Sequence, residues 1–278
     1  MNAGYVIGNQ RKKLRSYKSQ KEVEMKKKII IATLIMLIGA CSFLYSRETI
    51  PKELTLVKET DNSLIYIRET DQDVKDMVEI ISSEFENHYR RLTELFQYSP
   101  SQKTSIVIFT DKEQFHHYIG RDTEGTYDAD DKIIKVYTPS DLSRIDIRNE
   151  YTSQVVHEFV HAIIQQINPD IGGVKWLDEG TAFFAAEQLQ AEIQSKRYAY
   201  LSPPDLSKFM DSQLYFEEEG GIAYYFSGLL VKYIYEEFGK ENFNKVLRDP
   251  LKIEDILNKS IEEIYTEWST YTVELYQL

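Results

Sequence analysis

His157-Glu158-Phe159-Val160-His161, followed after a Gly172-Gly173 loop by Trp176-Leu177-Asp178-Glu179-Gly180-Thr181-Ala182, is the stretch that decides the fold. The spacing predicts a helix over 149–168, ended by Pro169. Residues four apart on a helix project from one face, about one turn from each other. Two imidazoles so placed can each give a nitrogen to one Zn²⁺ at about 2.0–2.1 Å. Glu158 lies ~100° round the helix from His157, so its carboxylate can face a water at the metal instead of the metal itself. Val155, Val156, Phe159, Val160, Ile163 and Ile164 line the remaining face and bury the helix, which gives the ligand pair a fixed backbone. With five histidines in 278 residues, a chance match to this spacing is a roughly 1% event. The bland reading is a helix with two polar-face histidines and no metal.

A catalytic zinc site needs a third protein ligand and one open position. A second helix is expected from about Trp176 past Gln188, and an antiparallel return brings its first turn beside the first helix. Glu179 is the leading candidate there and Asp178 the competing one. A third histidine six residues beyond His161 is absent, which excludes the metzincin arrangement. His88, His116 and His117 precede the motif and have the character of surface or core residues.

Outward from this pair, the N-terminal half alternates strands with helices. Strands are expected over 54–58 and 64–68. Val74, Met77, Val78, Ile81, Phe85, Tyr89, Leu92 and Leu95 fall three and four apart, one long amphipathic helix closed by Pro100. A buried strand over 105–110 precedes a short helix over 112–118, capped by Asp111 and ended by Gly120. The segment 124–131 has the composition of a loop, and 133–137 that of another strand. The C-terminal half is helical. A long connection opens at Pro203-Pro204, and 217–221 is an acidic, flexible loop whose Glu217-Glu218-Glu219 could favour basic peptides. Helices follow over 222–238, with Gly239 as the residue after its C-cap, then over 241–248 and 253–257. Ser260 and Glu263 form a capping box for the last one. The fold class is α+β: a small mixed sheet with a long N-terminal helix, packed on a mainly helical part.

The chain has 278 residues and a formal charge of −12. Residues 1–40 hold nine Lys/Arg and two Asp/Glu, so the rest has 24 basic and 43 acidic residues, a net of −19. A body that acidic excludes nucleic acid as a partner, since phosphate binding needs a basic face. Lys26, Lys27 and Lys28 precede the apolar run 29–40, which ends Leu37-Ile38-Gly39-Ala40-Cys41. Basic, apolar and small residues in that order make a secretory signal, too short for a span of ~20 residues. Its end resembles the bacterial lipobox, in which the cysteine is lipidated. Cys41 is the single cysteine, so neither an internal disulfide nor a thiolate zinc site can form. The expected layout is an untranslated or unstructured extension over 1–24, a signal over 25–40, a tether over 41–52, an α/β part over 53–148 and a helical catalytic part over 149–278. The protein is then anchored on the outer face of the cytoplasmic membrane by lipid, or alternatively by the signal itself.

HEFVH followed by WLDEGTA resembles the gluzincin metallopeptidases of the peptidase MA-like family. Tyr224-Tyr225-Phe226-Ser227-Gly228-Leu229-Leu230-Val231-Lys232-Tyr233, ending at Phe238-Gly239, is similar to the helix that follows in that family, and Ile261-Glu262-Glu263 with Trp268 to its end pattern. The resemblance spans roughly 100–272. It implies one Zn²⁺ held by His157, His161 and Glu179, with Glu158 as catalytic base acting on a peptide or protein substrate. It also makes strand 133–137 the sheet edge beside the cleft. Tyr224 or Tyr225 is the candidate donor to the oxyanion, with Tyr224 preferred by the family match; the bland reading makes both core aromatics. The G-x-M-E-N motif that grips a free N-terminus is missing, which favours an endopeptidase over an exopeptidase. The position four after Glu179 is Phe183, not a carboxylate. The alternative to a peptidase is a non-catalytic lipoprotein binding module that retains the fold. Mass spectrometry of the native protein tests the N-terminal reading: the expected chain starts at a lipid-modified Cys41, and peptides from 1–24 would contradict it.

Overall fold

A computed structural model describes residues 54–68 and 73–275. Cys41, the signal, the tether and the extension over 1–24 lie outside the described residues. Leu54–Glu59 (β1) and Ser63–Arg68 (β2) pair antiparallel. Lys75–Phe96 (α1) then crosses to Thr104–Phe109 (β3), which runs parallel to β2. Lys112–Ile119 (α2) leads to Gly125–Asp128 (β4) and Ile133–Tyr137 (β5). The sheet is mixed, in the order β1-β2-β3-β5-β4. The parallel strand β3 is buried along its whole length, as a strand covered on both faces must be. Asp111 caps α2 through the Gln114 amide at 2.9 Å, and Gly120 closes it at φ 78.

Helices make up the rest. They are Ile145–Ile167 (α3), Lys175–Ala185 (α4), Gln188–Ser195 (α5), Leu206–Met210 (α6), Ser212–Glu219 (α7), Gly221–Arg248 (α8), Ile253–Leu257 (α9) and Ile261–Leu275 (α10). The class is α+β. The apolar stripe of α3 is buried as its periodicity requires, and one hydrophobic core joins the sheet, α1, α3, α4 and α8. Ser260 and Glu263 make the reciprocal capping bonds at the start of α10, at 2.8 and 3.2 Å.

Several expectations are corrected. The segment 124–131 is not all loop: β4 lies within it and pairs antiparallel with β5. Strand β5 is therefore interior, and β4 is the edge. Four residues are too few for a periodic signal; packing of Tyr127 against the core supplies what the local pattern lacks. Glu217, Glu218 and Glu219 are not on a flexible loop but end α7. Burial of Tyr215 and Phe216 holds that helix, Gln213 bonds Glu217 at 2.7 Å, and Lys208 bonds Glu218 at 2.8 Å. Lys208 pairs with Glu218 and lies 3.6 Å from Glu219, so part of this acidic run is already met by a basic side chain of the same chain. The helix from Trp176 breaks at Glu187 instead of passing Gln188. Helices 222–238 and 241–248 join across Gly239, which kinks α8 at φ 78 and ψ 165.

Two close approaches seat α4 against α8. A β-carbon on Gly180 would stand 2.6 Å from the carbonyl oxygen of Ser227, and one on Gly228 would stand 3.2 Å from Phe183. The bare backbone at these points brings Glu179 and Tyr224 to one side of the molecule. Alanine at 180 gains about 1 kcal/mol of helix propensity, but the obstacle is backbone, which cannot rotate away. Gly180→Ala is therefore expected to lose about 1–3 kcal/mol overall, measured by denaturant unfolding; equal or higher stability would contradict this packing.

Candidate metal centre

The centre is built from α3 and α4. His157 and His161 stand one turn apart on α3, with their Nε2 atoms 3.1 Å from each other. Glu179, in the second turn of α4, places Oε2 3.4 Å from each of those nitrogens. Two ligands at about 2.0–2.1 Å from a tetrahedral metal are separated by roughly 3.3–3.4 Å. The three atoms are thus spaced as a zinc ligand set and form the metal-capable group of the site.

The other ring nitrogens fix the tautomers. His161 Nδ1 lies 2.8 Å from Asp178 Oδ1. An ionised carboxylate only accepts, so Nδ1 carries a hydrogen and Nε2 is the nitrogen turned toward the centre. His157 Nδ1 lies 2.8 Å from Gln188 Oε1, which does the same for the second ring. Asp178, the competing ligand in the sequence, therefore orients His161 from behind and stays out of the converging set. Two imidazoles and one carboxylate suit a catalytic zinc site. Charge agrees: Glu158, Asp178 and Glu179 are three acids gathered at a largely buried site, which is costly without a cation among them.

Electrostatics express the same demand. Burial works to raise the Glu179 carboxyl, but hydrogen bonds with His157 and His161 outweigh it and hold the group well below its ordinary value. Burial works to lower His161, but Asp178 and Glu179 outweigh it and push the imidazole well above its ordinary value. Glu158 is different. Burial raises its pKa, and the two imidazoles offset that only in part. Its Oε1 accepts a 2.7 Å bond from Gln154 Nε2, one turn earlier on α3. Gly125 of β4 lies against the same carboxylate, where a β-carbon would be 2.7 Å from Oε1.

All these groups open on a cavity of about 660 Å³. Tyr224 lines it, its ring 6.3 Å from that of His157. Burial, then the charges of Glu179 and Glu158, push the Tyr224 hydroxyl far above its ordinary value, so it remains an O–H donor. Tyr225 points elsewhere: it is fully buried, 5.0 Å from the ring of Tyr198 and 5.3 Å from that of Phe226. Of the two tyrosines, the structure brings Tyr224 to the other candidates and leaves Tyr225 in the core. Sequence reasoning missed the parts played by Asp178, Gln188 and Gln154. Gln154 has a legible signal, since it stands four before Glu158 on one helix.

No family model and no curated protein matches this sequence. Among solved structures, the M1 zinc metallopeptidase from Deinococcus radiodurans aligns with 82% of this chain at 12% identity and a TM-score of 0.37. The chain spans 50% of that protein's length. So loose a likeness carries no weight for the site, which stands on its own geometry.

Two substitutions separate ligand from orienting residue. Glu179→Ala is expected to lower zinc stoichiometry below one per chain. Asp178→Ala is expected to weaken zinc about 10–100-fold yet fill at excess metal. Metal analysis with chelator competition reads both, and the reverse pattern would exchange the two roles.

Proposed function

We propose that this protein is a zinc-dependent endopeptidase, with His157, His161 and Glu179 as ligands and Glu158 as general base. One observation carries the reading: a buried carboxylate, Glu158, shares a cavity with three donor atoms spaced for one tetrahedral metal. A purely structural zinc site has no use for that fourth group. A zinc ion there would polarise the scissile carbonyl and make water acidic enough to react near neutral pH.

The chain's own residues do the rest. Glu158, its proton affinity raised by burial, takes a proton from the attacking water and later delivers it to the leaving amine. Gln154 holds one oxygen of that carboxylate, which leaves the other to work. Tyr224 donates its O–H to the oxygen on which negative charge develops. The outer edge of β4 runs past the base at Gly125 and offers main-chain groups to an extended peptide. The lipobox-like run to Cys41 supports a place on the outer face of the cytoplasmic membrane, held there by lipid, with peptides or proteins of that compartment as substrates.

Cleavage of a fluorogenic peptide library tests the assignment. Glu158→Gln is expected to keep its zinc and lose about 10²–10⁴-fold in kcat/KM. Tyr224→Phe is expected to keep zinc and KM and lose about 10²-fold in kcat. Zinc bound with no cleavage by the parent would favour a non-catalytic binding module; parental activity in Glu158→Gln would remove Glu158 from its role.

A further inference from the structure

Helix α4 does not run on into α5. Glu187 stands between them at φ 65 and ψ 6, a left-handed conformation that residues with a β-carbon adopt only at an energetic cost. In an unbroken helix Gln188, nine residues after Glu179, would point ~180° away from it. The break turns Gln188 back, so that its amide oxygen meets His157 Nδ1 at 2.8 Å. The position one turn after Glu179, which would face the centre without any break, holds the apolar Phe183.

The break is held from both sides. Arg91 of α1 donates through Nη2 to the Ala185 carbonyl at 2.7 Å and lies 3.4 Å from Glu187 Oε1. The same nitrogen is 2.6 Å from His88 Nδ1, and the far side of that ring meets Glu84 at 2.9 Å. Leu189, buried in the core, pins the first turn of α5. Arg91 does not line the metal cavity, and its bonds to the Ala185 carbonyl and Glu187 carboxylate fall on this turn.

We infer that Gln188 sets the zinc affinity of the centre by fixing His157 with Nε2 toward the metal, and that Arg91 keeps Gln188 there by bracing the break at Glu187. The inference rests on the reading of His157 as a ligand. Gln188 and Arg91 are positioning residues: neither reaches the three converging atoms. An apolar side chain at 188 leaves a buried Nδ1–H without its acceptor and lets the ring change tautomer or rotate. A carboxylate at 188 accepts the same hydrogen and keeps the ring in place.

Zinc dissociation constants of the full chain, read by competition with a chromophoric chelator, test this. Gln188→Leu is expected to bind zinc about 10–100-fold more weakly, and Gln188→Glu at least as tightly as the parent. Arg91→Met is expected to weaken zinc, and Glu187→Gly in that background to recover it, because glycine takes the left-handed conformation freely. A general loosening of the fold would lower the thermal midpoint without that recovery. Parental affinity in Gln188→Leu, or a Gln188→Glu variant as weak as Gln188→Leu, overturns the role of Gln188. Parental affinity in Arg91→Met overturns the brace. Should Gln188→Leu fail to fold, Gln188→Glu and Arg91→Met still decide. A parent that binds no zinc overturns the proposed function together with this inference; a parent that binds and cleaves while Gln188→Leu retains its affinity overturns this inference alone.

Discussion

Three lone pairs, on His157 Nε2, His161 Nε2 and Glu179 Oε2, meet within 3.1–3.4 Å of one another in a largely buried place. Acceptors brought that close repel unless something positive lies among them. A proton shared among them meets the demand in part, and a divalent ion meets it in full. Much of the surrounding architecture serves to hold this unfavourable gathering together. The buried stripe of α3 fixes two of the atoms. The bare backbone of Gly180 against Ser227 fixes the seating of α4, which carries the third. Asp178 and Gln188 then decide which nitrogen of each ring faces inward.

The division of labour between neighbouring acids follows from the same packing. Asp178, Glu179 and Glu158 come from two helices, yet each meets a different environment. Asp178 faces the outer nitrogen of a ring, Glu179 the inner nitrogens of both, and Glu158 is hydrogen-bonded by a neutral amide and packed against a glycine. The first two are tied to imidazoles. The third is held by one oxygen and pushed toward protonation by burial. A carboxylate in that condition takes up a proton more readily than one locked in an ion pair.

Legibility in the sequence tracked the range of the forces involved. The spacing of His157 and His161, the stripe from Val155 to Ile164, the cap at Asp111 and the capping box at Ser260 are local, and each was readable from a few residues. Asp178 and Glu179 are adjacent on one helix, so only the mutual seating of α3 and α4 separates their roles. Strand β4 is short and polar; it exists because β5 offers an edge and Tyr127 finds the core. The acidic end of α7 is helical because Tyr215 and Phe216 are buried beneath it. Gln188 was invisible for a further reason: its place depends on a left-handed residue that no composition rule predicts at a glutamate, braced by an arginine 96 positions earlier in the chain.

The central claim is that one divalent ion is bound by two imidazole nitrogens and one carboxylate oxygen. X-ray absorption spectroscopy at the zinc edge of the purified protein tests it most directly. The account predicts one zinc per chain, with two imidazoles and an oxygen-only remainder in its coordination shell at about 2.0–2.2 Å. A shell without imidazole scattering, or a protein that takes up no zinc at neutral pH, would contradict it.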